Sequence, residues 1–182
     1  QFQGNPASMS GQLAGGWDHA TGNWWGNLHQ GQISIGEWQW LLSSETPLSW
    51  EPASRTFLLG DHCWSSETAS LCADEPVIVG PSGSVVLSLR DFQTERLAPF
   101  MPDGMTWMGT VAGEAKAEWQ PGQAPTAKTF LRAGAGEFRL VQDEAGPLFL
   151  RYDQLEMTLD ADAAVVNSHL RSEDRRVGKE CL

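Results

Sequence analysis

The chain has 182 residues, with 12 Lys and Arg against 23 Asp and Glu, for a net charge of −11. Nucleic acid and anionic headgroups need clustered cations to displace counterions, and four of those twelve basic residues lie beyond Leu170, so both polyanions are excluded as partners. No run approaches the ~18 apolar residues of a membrane span, and Gln1–Asn5 has neither a basic n-region nor an apolar h-region, as expected for a piece of a larger protein.

In chain order, apolar residues recur with period two between Gly, Pro, Asn and Asp, the pattern of antiparallel strands on short connectors. Strands are expected over Ser8–Trp17, Trp24–Ile35, Glu37–Leu42 and Arg55–Leu59. Between the last two, Leu48 to Glu51 is bracketed by Pro47 and Pro52, so a ladder there would be a sheet edge. Cys63 and Cys72 flank a polar turn in D-H-C-W-S-S-E-T-A-S-L-C. That spacing suits a disulfide closing a loop of about ten residues. Reduced structural cysteines are an alternative, and so is a zinc site with His62, which lacks a fourth ligand. Ser84–Arg90 follows as a strand with Val85, Leu87 and Leu89 on one face. The one helix candidate is Thr94–Met101, a short turn capped by Thr94 and closed by Pro99 and Pro102.

Met105–Trp119 carries the clearest alternation. Met105, Trp107, Gly109, Val111, Gly113, Ala115, Ala117 and Trp119 share one side, opposite Thr106, Glu114, Lys116 and Glu118. As one strand it would extend roughly 50 Å. Thr126–Ala133, Glu137–Val141, Leu148–Tyr152 and Leu155–Val165 complete the set, the last placing Leu155, Met157 and Leu159 together. Short matches link Gly11–Gly15 to Gly109–Gly113, Gly36–Trp38 to Gly136–Phe138 and Pro47-Leu48 to Pro147-Leu148. Their offset of about 100 residues reads as two related β units within residues 1–170. Residues 171–182 are highly charged, lack apolar periodicity, and are expected to be a disordered or non-native tail.

Catalytic signatures are not found. There is no G-x-S-x-G elbow, His19 and His29 read as surface imidazoles, and no Gly-rich loop opens a helix to hold phosphate. Glu114, Glu118, Glu156, Asp160 and Asp162 form rows on outward strand faces, expected to be solvated or paired across strands. No cofactor, metal site or enzymatic activity is expected. What remains is the apolar face and nine tryptophans, amphipathic residues favoured where a surface is half dry. Closed tightly, that face would be a sandwich core. The small residues Gly109, Gly113, Ala115 and Ala117 would leave such a core with voids, which favours an open groove.

The stretches D-H-C-W…L-C, V-V-L-S-L-R-D-F…L-A-P-F-M-P and W-M-G-T-V-A-G-E-A-K-A-E-W resemble the TamB family of the wider AsmA-like group. The resemblance spans most of Asn5 to Leu170 and is most specific from Cys63 to Trp119. It implies an all-β fold, an elongated curved antiparallel sheet bent into a taco-like hydrophobic groove with at most one short helix. The groove set would be Val85, Leu87, Leu89, Trp107, Val111, Trp119, Leu155, Met157 and Leu159, and Cys63 and Cys72 match the family's cysteine pair. It also implies a periplasm-spanning protein anchored in the inner membrane of a Gram-negative bacterium. Such a protein works with the outer-membrane barrel TamA, through regions outside this chain, in assembly and secretion of autotransporters and other outer-membrane proteins. Its client would be a nascent strand or an acyl chain. A phospholipid conduit between the membranes and a purely structural spacer are the alternatives.

Overall fold

Period-two segments on short turns satisfy their backbone groups by pairing with their neighbours in the chain, and a computed structural model, describing residues 7–142, 146–162 and 165–173, has that arrangement. The strands are β1 (Ala7–Trp17), β2 (Trp24–Ile35), β3 (Trp38–Leu42), β4 (Thr46–Glu51), β5 (Thr56–Leu59), β6 (His62–Ser66), β7 (Ala69–Ala73), β8 (Val77–Val79) and β9 (Gly83–Gln93). A 3-10 helix, Thr94–Phe100, precedes β10 (Met105–Met108), β11 (Thr110–Trp119), β12 (Thr126–Ala133), β13 (Gly136–Gln142), β14 (Gly146–Tyr152), β15 (Gln154–Ala161) and β16 (Val166–Glu173).

Thirteen strands form one antiparallel sheet, and β10, β13 and β14 form a second. The register simplifies this. β3 and β4 lie end to end along one edge of β2, pairing with Gln32–Ile35 and Trp24–Leu28 respectively. β6 and β5 continue the same two tracks, and β7 and β8 share one edge of β9. Thirteen strands with three such pairs make ten long rows in a meander. Nine spacings of ~4.8 Å give it a width of roughly 43 Å.

The second sheet is the same meander carried past a crease. β10 runs on into β11, β12 into β13, and β14 into β15, with Trp107 opposite Phe138 just as Val111 lies opposite Ala133. The three rows break together at Gly109, Gly134–Ala135 and Asp153, so β10-β13-β14 folds back as a flap. The expected single strand Met105–Trp119 is therefore continuous in sequence but bent at Gly109. Two contacts fix the bend. The buried Thr94 donates its hydroxyl to the carbonyls of Trp107 and Gly109 at 2.9 and 3.1 Å, and the Tyr152 hydroxyl occupies the space a side chain at Gly109 or Gly136 would need. Thr94 thus holds the crease and does not cap the helix, whose N-cap is Gln93.

Other expectations are revised. β4 is flanked by β2 and β5 and is no edge; Pro47 fits because its missing donor falls where β5 ends, its carbonyl accepting from Gly60 at 2.8 Å. The sequence reading omitted β6, β7 and β8. β16 runs through residue 170 to Glu173, paired with Gln154, so the first three residues of the expected tail lie in a strand. The end of Leu155–Val165 and residues 174–182 lie in part or wholly outside the described residues. The echoed glycines occupy different settings, Gly36 in a hairpin turn at φ +62° and Gly136 within a strand.

Cys63 and Cys72 face each other across the β6–β7 hairpin with Cα atoms 4.0 Å apart, and they form a disulfide. With both sulfurs so bonded, neither is a thiolate ligand, and the adjacent Asp74 instead accepts from Ser88 Oγ at 2.9 Å. Converting both cysteines to alanine is expected to cost about 2.7 kcal/mol in the chain-entropy model. Urea unfolding checks this: reductant should lower the midpoint of the native chain and leave the double variant unmoved.

Candidate functional site: an apolar trough

Residues directly opposite in a sheet project to the same face, so the register fixes which side chains meet. Trp64 lies opposite Leu71, Leu71 opposite Leu89, Leu89 opposite Gly113, Gly113 opposite Leu131, Leu131 opposite Met157, and Met157 opposite Leu170. A parallel row joins Leu87, Ala115, Thr129, Leu159 and Ser168, and another Val85, Ala117, Ala127, Ala161 and Val166. No position in these rows is charged. The charges stand on the opposite face, where Arg132 pairs with Glu156 at 2.9 Å, Lys128 with Asp160 at 3.9 Å and Lys116 with Glu118 at 2.9 Å. Glu118 raises the Lys116 pKa above its ordinary value. Glu156 and Asp160 thus pair across strands, while Glu118 pairs with Lys116 of its own strand. His29, read as a surface imidazole, contacts Glu45 at 3.0 Å.

The uncharged face is only partly covered. Phe92, Trp40, Trp64 and Ala69 form one buried cluster, with Leu28, Ile33 and Leu71 packed on it. A left-handed residue at Asp91 makes a bulge that brings Phe92 onto the same face as Leu89. Val111, Ala133 and Tyr152 form a second cluster beneath the flap, joined by Trp107, Phe138, Leu131 and Leu155. Trp107 stacks on Phe138 and donates its indole N–H to Tyr152. Farther from the crease Val85, Leu87, Met157 and Leu159 are half-buried, and Leu170 is 74% exposed. A mainly apolar recess of about 190 Å³ opens among Ile33, Trp40, Trp64, Leu71 and Leu87, with His62 in its wall.

The expected groove residues accordingly divide. Val85, Leu87, Leu89, Leu155, Met157 and Leu159 share one continuous face. Val111 shares it but is only 7% exposed, sealed by the flap, and Trp107 belongs to the flap itself. These two are packing residues because the crease at Gly109 turns their end of the row into a small core.

Trp119 belongs to a feature the sequence reading missed. Trp17 lies opposite Trp24, Trp24 opposite Trp50, Trp50 opposite Phe57, Phe57 opposite Val79, and one row further Gly83 opposite Trp119. All sit where the strands end, so an aromatic ladder edges one lip of the trough. Glycines make room for it: Trp24 covers Gly15 and Gly26, and Trp119 covers Gly83 while donating to the Gly80 carbonyl at 3.0 Å. The signal was present in the sequence, since Trp17 and Trp24 bracket the β1–β2 turn and Trp50 and Phe57 the β4–β5 turn. Asp18 and Glu51 follow Trp17 and Trp50 in the chain, Glu51 on the opposite face from Trp50 and accepting from Ser54 Oγ. The backbone N–H of Ala20, followed by the Thr21 hydroxyl, holds the Asp18 pKa below the usual carboxylate range.

Among the described residues, no helix is long and apolar enough to cross a membrane. The family model described as the N-terminal domain of TamB matches residues 1–178. No solved structure matches the chain.

Proposed function

The chain belongs to the TamB family, and we propose that its segment offers an apolar trough to a hydrophobic client, best an acyl chain, within the cell envelope. The observation that carries this reading is the uncharged face beyond the two buried clusters, where Val85, Leu87, Met157 and Leu159 are only half-buried and Leu170 is 74% exposed. The rows beneath it, from β2 to β15, have both edges engaged, so a strand client would find no free backbone groups along the floor. An acyl chain needs none. It leaves water for the dry wall at ~0.8 kcal/mol per CH₂, spread along the trough with no deep well, which favours sliding over holding. In the longer protein the segment would stand in the periplasm as part of an inner-membrane-anchored bridge. It would work with the outer-membrane barrel TamA, through other regions, in assembling autotransporters and other outer-membrane proteins, and no chemical step is assigned to it. Protein clients would pair at the edges of β1, β14 and β16 that no strand among the described residues covers.

Photo-crosslinkers at Leu87, Met157 and Leu159 test the client. Lipid adducts at all three sites are expected. Recovery of protein adducts alone would transfer the client role to a polypeptide, and recovery of neither would leave a spacer.

A further inference from the structure

We propose that the flap is a hinged, autoinhibitory cover, filling the crease end of the trough in a guest's place until an acyl chain displaces it. The inference rests on the acyl-chain reading above.

Three observations carry it. First, the apolar rows do not stop at the crease. Beyond Val111, Ala133 and Leu155 the same strands present Trp107, Phe138 and Leu150, then Met105, Leu140 and Leu148, uncharged and on one face of the flap. Folded back, this face packs through Trp107, Phe138 and Tyr152 on Val111, Ala133, Leu131 and Leu155, while Leu148 and Leu150 stay 60% exposed. The chain's own apolar side chains thus lie on the floor where a guest would lie.

Second, the flap is tied to itself. Its strands form a sheet of their own, Arg151 pairs with Glu137 at 2.7 Å, and the Trp107 stack on Phe138 and its bond to Tyr152 all fall within the flap. It can therefore swing as one body. Third, the hinge is lightly held. The rows cross it at Gly109, Gly134–Ala135 and Asp153, and a Cβ at Gly134 would meet nothing nearer than Thr110 Oγ1 at 3.8 Å. The latch is the Thr94 hydroxyl on the Trp107 and Gly109 carbonyls, beside backbone bonds from Thr94 to Gly109 at 3.0 Å and from Gly134 to Thr110 at 3.1 Å.

A guest that reaches Val111 only under a lifted flap binds the open form alone, and the closed form lowers its apparent affinity by the fraction of chains that are shut. Weakening the latch then tightens binding, the reverse of what losing a merely structural contact does.

Calorimetric titration of the full chain with lysophosphatidylcholine, kept below its micellar threshold, tests this. Thr94→Val removes the hydroxyl with little change of shape, and binding should tighten about fivefold, the equilibrium effect of one hydrogen bond. Thr94→Ser keeps the hydroxyl and should bind as the native chain does. Should Thr94→Val fail to fold, the native chain labelled with 5-fluorotryptophan still decides: the Trp107 fluorine signal, assigned by Trp107→Phe, should shift as the probe saturates. A folded Thr94→Val chain that binds no tighter, or a Trp107 signal unmoved at saturation, overturns the cover and leaves a fixed wall beside an intact trough. If the probe binds neither the native chain nor the variants, the acyl-chain reading itself has failed.

Discussion

Replacing Gly136 with valine is expected to detach the flap while the rest of the meander stays folded. A Cβ at Gly136 would overlap the Tyr152 hydroxyl and come within 2.5 Å of the Met108 carbonyl oxygen. The first is a side-chain tip, which can turn away at the cost of its bond from Trp107. The second is backbone of the neighbouring β10 and cannot. Overpacking of this kind costs about 1–3 kcal/mol, and losing the donor's partner adds about 1 kcal/mol, comparable to what a small three-stranded sheet holds in reserve. Amide exchange should rise over β10, β13 and β14 and stay slow through β2–β9. The near-ultraviolet signal of the Trp107–Phe138 stack should fall with it. Uniform destabilisation of every strand would instead mean that flap and sheet unfold as one unit.

How far the sequence determines this fold can be read from the same residues. The alternation of Met105–Trp119 and of Leu155–Val165, over its part in β15 (Gln154–Ala161), identified the two faces correctly, because period two is a local property that any pairing partner preserves. The hairpin partners followed from short connectors, and Trp24–Ile35 and Thr126–Ala133 were delimited to the residue. The crease was not legible. Gly109 looks like one more small residue in a strand, and only the distant Thr94 and Tyr152 make it a corner. Likewise the short strands β6 and β7 alternate poorly by themselves. They pair because the Glu67–Thr68 turn places Cys63 opposite Cys72 and the long β9 lies alongside.

The ladder of tryptophans shows the other kind of gap. Each of Trp17, Trp24, Trp50 and Trp119 was visible as a residue, but their alignment is a property of register across several rows. Register is set jointly by every turn between them. A lip is a relation between strand ends. It appears once the rows are stacked, which is why a face could be predicted from one strand and an edge could not.

One charge placed at two positions on the same face should therefore act in two different ways. Aspartate at Val111 should be severely destabilising, because the side chain is 7% exposed and packed with Ala133 and Tyr152, and an unpaired carboxylate there costs about 3–5 kcal/mol. Aspartate at Leu159 should cost far less, about 1 kcal/mol, since that half-buried position leaves the carboxylate in reach of water. Its effect should fall on the client: a charge in the middle of an otherwise uncharged row interrupts the apolar path, and lipid recovered by crosslinking at Met157 should drop at least tenfold. Urea unfolding separates the two variants, and crosslinking of the still-folded Leu159→Asp chain isolates function from stability. Were Leu159→Asp to unfold the chain as Val111→Asp does, the face between the flap and β16 would be core, with no room for a guest. Were it to stay folded and keep its lipid yield, the path would lie elsewhere, and the row from Trp64 to Leu170 would serve only to stiffen the sheet.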